Sequence, residues 1–146
     1  MTDFAQIPIG NILPQRPPFV FVDRLLHYDT QLTRTAFRVP EAGVFVEDGL
    51  FRTAGLVENM AQSSAARIGY IARYILHVPV TIGFIGSVRK LKVYRNPRCG
   101  ELLETSVLLR EDIFGITLTD VEIHSGTELI ASASLKTALS DKTIDE

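Results

Sequence analysis

Residues 56–66 read Leu-Val-Glu-Asn-Met-Ala-Gln-Ser-Ser-Ala-Ala and form the centre of the longest helical pattern in the chain. They place one carboxylate, Glu58, among apolar and small side chains. Asp and Glu are almost never fully buried unless they are paired or used. A carboxyl group in apolar surroundings is how proteins obtain a general acid or base that works near neutral pH. The stretch therefore predicts a buried helix that carries a candidate catalytic residue.

The helical spacing of apolar residues extends over residues 51–76, and the sequence His-Val-Pro at 77–79 is predicted to end it. One stripe is mainly apolar and consists of Val57, Met60, Ala61, Ser64, Ile68, Ile71, Ala72 and Ile75. A flanking face of small or polar residues follows at i, i+4, i+7 and i+11, namely Glu58, Gln62, Ala65 and Gly69. We expect such a helix to be more buried than an average surface helix.

The rest of the chain is predicted to be mostly β-structure. Before the helix, we expect a short helix or turn at 7–13, a strand at 19–27, a turn at 29–30 and its hairpin partner at 32–39. After it, segments rich in Val, Ile, Leu and Thr predict strands at 81–95, 101–113, 115–124 and 127–139. The last two alternate apolar and polar residues, which is typical of a half-exposed antiparallel sheet. The pattern predicts a single α+β domain over residues 1–146, with a curved antiparallel sheet wrapped around the central helix and a frayed tail at 141–146.

Composition excludes several classes of function. The formal net charge of -2 over 146 residues lacks the strongly basic footprint of a nucleic-acid-binding protein. The single cysteine, Cys99, cannot form a disulfide within the chain, and no Cys/His cluster has zinc-ligand spacing. We find no secretory signal pattern at the start and no apolar stretch long enough to cross a bilayer. These features predict a cytoplasmic protein that acts without nucleic acid or membrane.

Residues 12–24, residues 57–62 and the pair of segments 84–86 and 97–102 together resemble the β-hydroxyacyl-[acyl-carrier-protein] dehydratases of the hotdog superfamily. Residues 12–24, Ile-Leu-Pro-Gln-Arg-Pro-Pro-Phe-Val-Phe-Val-Asp-Arg, resemble the opening motif of that family. Residues 57–62, Val-Glu-Asn-Met-Ala-Gln, resemble its helix signature. Residues 84–86, Phe-Ile-Gly, and the later Pro-Arg-Cys-Gly-Glu-Leu at 97–102 resemble its third conserved region. The resemblance implies a hotdog fold: a long central helix wrapped by a curved antiparallel sheet.

The chain departs from this family at the catalytic histidine. The family carries that histidine in a Gly-His-Phe-Pro motif upstream of the helix Glu, whereas the corresponding loop here, residues 40–51, contains no histidine. Arg52-Thr53 stand where the family has Pro-Gly. In this respect the chain is similar to a divergent branch, the small dehydratase-like hotdog proteins associated with aryl polyene or flexirubin-type pigment synthesis.

The resemblance implies a set of site residues centred on Glu58, the predicted catalytic carboxylate. Gln62, one turn further along the helix, is expected to orient Glu58 or to contact substrate. Backbone amides at the helix start would direct partial positive charge at a thioester carbonyl. The predicted substrate-binding residues are therefore Arg52, Thr53, Ala54, Gly55 and Gln62, together with Phe84 and Gly86 on the tunnel wall.

Other polar residues have ordinary structural interpretations. The three histidines, His27, His77 and His124, are interpreted as surface or edge residues, because none lies at the position of the family's base. Glu47 and Asp48 precede the helix and could substitute for that base, although a helix cap or a solvated turn explains Asp48 more simply. Positive charge concentrates at Arg89, Lys90, Lys92 and Arg95, which form either a solvated strand face or a docking patch for an acidic carrier protein.

The sequence therefore predicts a dehydratase-like protein acting on β-hydroxyacyl thioesters in fatty acid or polyene-type lipid synthesis. Its substrate is carried by acyl carrier protein or by CoA, and no metal or redox cofactor is required. We expect a homodimer or a higher oligomer, or a heterodimer with a histidine-containing dehydratase. Two alternatives remain open: an acyl-thioester hydrolase on the same fold, and a non-catalytic subunit that binds acyl chains or an active partner.

Overall fold

A computed structural model describes the backbone of residues 2–143 and the side chains of residues 2–139. The regular elements are β1 (Arg24–Tyr28), β2 (Leu32–Arg38), β3 (Val46–Glu47), β4 (Leu50–Phe51), α1 (Thr53–Tyr70), β5 (Thr81–Val93), β6 (Leu102–Ile113), β7 (Ile116–Ser125) and β8 (Glu128–Thr143). Two short 3-10 helices, Phe4–Gln6 and Ile9–Asn11, precede β1. A π-helical segment, Ile71–Leu76, continues α1.

Six strands form one antiparallel sheet in the order β1-β2-β6-β7-β8-β5, so β1 and β5 are its edges. Helix α1 packs against one face of this sheet. On β7, the residues Thr117, Thr119, Val121 and Ile123 are buried beneath the helix, whereas their neighbours of the other parity are half-buried or exposed. The predicted alternation is therefore confirmed, and so is the α+β architecture of one long helix on a six-stranded antiparallel sheet. Within residues 2–143, no helix has both the length and the apolar character that crossing a membrane requires.

The buried face of α1 differs from the predicted stripe. Leu56, Asn59, Met60, Ser63 and Arg67 are all buried. Val57, Ala61 and Ile68, which were expected on the core side, are only half-buried, and Ile75 is exposed. The buried face of α1 is therefore rotated about the helix axis relative to the predicted apolar stripe. The reason is that the N-terminal segment covers a side of α1 outside that stripe.

The first strand was predicted too early. Strand β1 begins at Arg24, and residues 19–23 precede it without regular secondary structure. The Asp23 N–H still bonds to the Ala36 carbonyl of β2, but the backbone of Phe19 and Phe21 bonds to Gln62 and Asn59 of α1. We call residues 19–21 the strap, because they cross over α1 and are tied to it by these bonds.

The segments that flank the helix also differ from prediction. Residues 46–51 contain a small hairpin, β3–β4, and Asp48 lies in its turn with φ +54 instead of capping α1. The helix N-cap is Arg52, which makes no side-chain capping bond. The final strand continues beyond residue 139 to Thr143. The tail predicted at 141–146 falls, from residue 144 onward, outside the described residues.

Candidate active site

Glu58 lies in the first half of α1 and is half-buried. Its Oε1 accepts a hydrogen bond of 3.0 Å from Nε2 of Gln62, one helical turn away. Residues four apart on a helix face the same side, so this contact follows directly from the sequence spacing. The two predicted residues are therefore brought together.

The orientation of the Gln62 amide is fixed by the strap. Gln62 is fully buried, and its Oε1 accepts a hydrogen bond of 2.7 Å from the backbone N–H of Phe21. Its Nε2 donates to the carbonyl of Phe19 at 2.9 Å as well as to Glu58. Because an N–H donor already occupies the oxygen side, only the NH2 group can face the carboxylate. The strap therefore fixes the amide so that its NH2 group donates to Glu58.

Asn59 is a buried contributor that the sequence argument did not identify. It is fully buried; its Nδ2 donates to the carbonyl of Phe21 at 2.6 Å, and its Oδ1 accepts from the hydroxyl of Thr105 on β6 at 2.6 Å. Asn59 therefore connects the strap, α1 and the sheet. One sequence feature could have pointed to Asn59: it is an Asn between Glu58 and Met60 in an otherwise apolar stretch. A buried polar side chain at such a position needs hydrogen-bond partners.

The start of α1 presents two free amides. The N–H groups of Gly55 and Leu56 bond to the carbonyl of Arg52, at 2.9 and 3.2 Å. Among the described residues, the N–H groups of Thr53 and Ala54 have no backbone acceptor, as expected for the first positions of a helix. Arg52, Thr53 and Ala54 are all exposed. Partial positive charge from the helix is thus available about one and a half turns before Glu58.

Gly55 has a structural role at this end. It is buried, and a Cβ atom built there would lie 2.5 Å from the ring of Phe51 and 2.9 Å from Cβ of Phe45. A side chain at this position would therefore force the hairpin away from the helix.

Phe84 and Gly86 lie on the edge strand β5, away from Glu58. Phe84 is more than half exposed and is in register with Ala138 of β8, in the same row as Ile116 of β7. That row faces away from α1, because Thr117 and Thr137 of the opposite parity are buried under the helix. Gly86 is exposed at a register shift in β5. Within one chain, the structure does not bring Phe84 to the carboxylate.

The basic residues divide into two groups. Arg89 and Lys90 line a groove of about 600 Å³ on the outer face of the sheet, which also includes Arg110, Phe114 and Lys136. Lys92 is exposed close by on β5. Arg95, in contrast, is bound in ion pairs with two carboxylates, Glu101 and Glu128. Arg95 therefore contributes less free charge to this surface than the sequence suggests.

None of the three histidines bonds to Glu58 among the described residues. His27 pairs with Asp29 at 2.7 Å, His124 lies 3.9 Å from Glu122, and His77 is exposed after the π-helical segment. Glu47 and Asp48 are exposed in the β3–β4 hairpin. In residues 2–143, no three His, Cys, Asp or Glu side chains are arranged to hold a metal ion.

Comparison with protein families gives one match that spans almost the whole chain. The model of the ApeP-like family, described as ApeP dehydratase, matches residues 7–145. The chain belongs to the ApeP-like family. No curated protein sequence matches it.

Solved structures place this ApeP-like protein among the hotdog folds. The dehydratase heterocomplex ApeI:P from Xenorhabdus doucetiae aligns with a TM-score of 0.86 at 19% identity, covering 93% of each chain. The smu.793 protein from Streptococcus mutans UA159, bound to acetyl CoA, aligns with a TM-score of 0.67 at 12% identity, covering 92% of this chain and 100% of that one. A hypothetical thioesterase with coenzyme A from Streptococcus pneumoniae TIGR4 gives 0.63 at 9% identity, over 82% and 87%. At these identities the likeness shows the fold, and the predicted hotdog fold is confirmed.

Proposed function

We propose that this ApeP-like protein takes part in the dehydration of β-hydroxyacyl thioesters, with Glu58 as its central catalytic residue. The proposal rests chiefly on one arrangement: a half-buried carboxylate held by Gln62, whose own amide is locked by the strap. Surface glutamates are normally free to rotate, whereas Glu58 accepts a hydrogen bond from a buried side chain whose orientation is fixed. A fixed carboxylate is what proton transfer at a defined atom requires.

The reaction needs one proton removed and one delivered. A base takes the proton from the carbon α to the thioester carbonyl, the Cα–Cβ double bond forms, and the β hydroxyl leaves as water after an acid protonates it. Glu58 supplies the acid for the leaving hydroxyl, and the amides of Thr53 and Ala54 stabilise negative charge on the thioester oxygen. No cofactor takes part, because the thioester itself makes the α proton acidic.

A second subunit completes this site. The inner-face residues Ile85 and Val88 of β5 are 39% and 37% exposed, although residues of the same parity on β7 are buried. Exposed apolar side chains also follow α1, at Tyr74 and Ile75. Grouped apolar exposure of this kind marks interaction surfaces. The missing base, a histidine in the resembled dehydratases, would then come from the partner, which is either a second copy or a histidine-containing dehydratase subunit.

The similarity to the ApeI:P heterocomplex favours the heterodimer among these arrangements. A homodimer brings two copies of Glu58 but no histidine from the family's loop. A heterodimer brings the missing base. The two assemblies therefore predict different activities for the isolated chain and for the mixture.

The basic groove supports docking of an acyl carrier protein. The groove contains the exposed apolar side chains of Phe114 and Ile116. Its charged lining is positive on balance, with four cationic side chains, Arg89, Lys90, Arg110 and Lys136, against two carboxylates, Glu111 and Asp120. Carrier proteins are acidic, so opposite charge would speed their encounter with this face. Substituting both Arg89 and Lys90 by Glu is expected to raise KM for the carrier-bound substrate at least about tenfold. KM for the same acyl group on CoA should change much less, and equal effects on both substrates would contradict a docking role.

The main experiment follows enoyl formation by mass spectrometry from a β-hydroxyacyl carrier protein. The wild type, Glu58→Gln and a matched control on the outer sheet face, Glu122→Gln, are each assayed alone and mixed with a histidine-containing dehydratase subunit. We expect Glu58→Gln to lose at least about a hundredfold in rate in the active assembly, and Glu122→Gln to retain it. Equal product from wild type and Glu58→Gln would end the assignment. Release of free acid and thiol would instead identify a thioesterase.

A further inference from the structure

A second pocket lies between the later part of α1 and the helix-facing side of the sheet. Its volume is about 160 Å³. Its walls include the apolar residues Ile68, Ile71 and Ala72, and the exposed side chains of Leu76 and Val78 form its rim. Apolar walls with an exposed rim favour entry of a small molecule from solvent.

Arg67 lines this pocket, and its guanidinium has few polar contacts with the rest of the protein. Arg67 is only 7% exposed, yet it makes no hydrogen bond within the described residues. Its one charged contact is Asp112, whose Oδ2 lies 3.8 Å from Nη2, too far for a hydrogen bond, and whose side chain is half exposed. An arginine carries five N–H donors, so a ligand in the pocket would find donors on Arg67 that no protein group among the described residues uses.

The floor of the pocket is also polar. Thr117 and Thr137 line it from β7 and β8 and hydrogen-bond to each other, which leaves oxygen lone pairs on both. A helix–sheet interface normally packs apolar groups, so a buried cation over a threonine floor indicates a place for hydrogen bonding.

The charge and the size of this pocket define which ligand would fit it. Arg67 and Asp112 together are electrically neutral, so an added anion would meet the carboxylate and an added cation would meet the guanidinium. An uncharged oxygen avoids both penalties and accepts from the spare N–H groups. A comparable cavity of about 150 Å³ accommodates benzene, so the apolar part is about the size of a six-carbon ring.

We infer that this pocket binds a compact apolar molecule or group that carries an uncharged hydrogen-bond-accepting oxygen, a ketone or an alcohol, with Arg67 as the donor. The site is separate from Glu58. Arg67 follows Glu58 by nine residues, which places it half a turn around the helix axis and about 13 Å along it. The inference therefore does not rest on the proposed dehydration, and either can fail alone.

The test uses two ligands of nearly the same shape. Cyclohexanone carries the oxygen, and methylenecyclohexane replaces it with a CH2 group. Each is titrated into the full-length protein while the methyl NMR signals of Ile68 and Ile71 are followed. We expect saturable shifts, with the ketone binding at least about tenfold more tightly, since a hydrogen bond to a charged group is worth that ratio or more. Cyclohexanecarboxylate and cyclohexylammonium should both bind more weakly than the ketone.

Three variants test which residues cause the expected preference for the ketone. Arg67→Met should abolish the preference for the ketone, and Ala72→Leu should block binding of both ligands by filling the pocket from its wall. Arg24→Met, at an exposed position on β1, is the matched control and should behave as the wild type. If Arg67→Met does not fold, the ligand series on the wild type and Ala72→Leu still decide. The inference is overturned by absent saturation, equal binding of the two ligands, tighter binding of the carboxylate, or a ketone preference that survives in folded Arg67→Met.

Discussion

The N-terminal segment meets α1 at two places, which we call the strap crossing (residues 19–21) and the contact crossing (Ile12), and different forces hold them. At the strap, the amides of Asn59 and Gln62 hydrogen-bond the chain to the helix. At Ile12, the chain lies so close to Gly69 that a Cβ atom there would be 1.8 Å from the Ile12 carbonyl oxygen. Hydrogen bonds specify which atoms meet and in what direction, whereas close contact specifies only distance. The strap crossing is therefore the one able to orient a catalytic group.

The largest expected effect is at the contact crossing. Gly69→Ala places a methyl group inside the backbone of Ile12, which cannot move aside as the end of a side chain would. We expect the free energy of unfolding to fall by about 3 kcal/mol or more, measured by urea denaturation. Gly10→Ala, where no atom lies within 4 Å of the added Cβ, should change it by less than about 1 kcal/mol. Similar values for the two variants would mean that the close approach at Ile12 is not essential.

The second-largest loss of unfolding free energy is expected at Asn59, the fully buried amide of the strap crossing. Asn59→Leu keeps a similar volume but leaves the Phe21 carbonyl and the Thr105 hydroxyl without their partner. Two buried groups lose hydrogen bonds, so the expected loss of unfolding free energy is about 2–3 kcal/mol. The control is Asn11→Leu, where an exposed Asn bonds Tyr74 and the loss should stay below about 0.5 kcal/mol. A small loss for Asn59→Leu would show that water replaces the amide there.

Gln62→Met should affect stability less and activity more. Water can reach the exposed Phe19 and the half-buried Glu58, so the main cost is the buried N–H of Phe21, which loses its acceptor; we expect a loss of about 1–2 kcal/mol. In the dehydration assay, kcat should fall about tenfold while KM stays nearly constant, because Gln62 positions the carboxylate instead of binding substrate. Gln31→Met, at an exposed turn, serves as the control. A rise in KM with unchanged kcat would instead assign Gln62 to substrate binding.

The strap also shows what the sequence can and cannot reveal. The pairing of Glu58 with Gln62 is local, four residues apart on one helix, so helical spacing predicts it. Residues 19–23 have the β-branched and aromatic composition of a strand, and composition alone predicted one. The actual partners of Phe19 and Phe21 are side chains about forty residues later in the chain, and no local pattern records such a pairing.

The same distinction explains the sheet and the second pocket. Alternation at Thr117–Ile123 predicted the buried face of β7, because a half-exposed strand leaves a period of two in the sequence. The β3–β4 hairpin, with two residues in each strand, is too short to leave any period. No local pattern in the sequence singles out Arg67, and only the fold brings it to Asp112 and to the threonines of β7 and β8.

The smallest expected effect concerns the ion pair between Glu101 and Arg95, which lies away from both crossings. Hydrogen bonds from the Arg95 guanidinium, and then from the Arg98 amide and the Ser125 hydroxyl, hold the pKa of Glu101 at about 2, below its ordinary 4.5. Because the folded-state pKa is the lower one, this stabilisation is complete above about pH 5 and is lost as the pH falls toward 2.

Glu101→Gln should therefore destabilise the protein by about 1 kcal/mol at pH 7, since partly exposed ion pairs contribute little. That difference from the wild type should shrink between pH 5 and pH 2, as measured by urea denaturation at each pH. The strap bonds made by Asn59 contain no titrating group, so the loss caused by Asn59→Leu should be the same across this range. A pH-dependent loss for Asn59→Leu would mean that a carboxylate supports the strap, and the contrast between neutral, directional bonds at the strap and charged bonds elsewhere would fail.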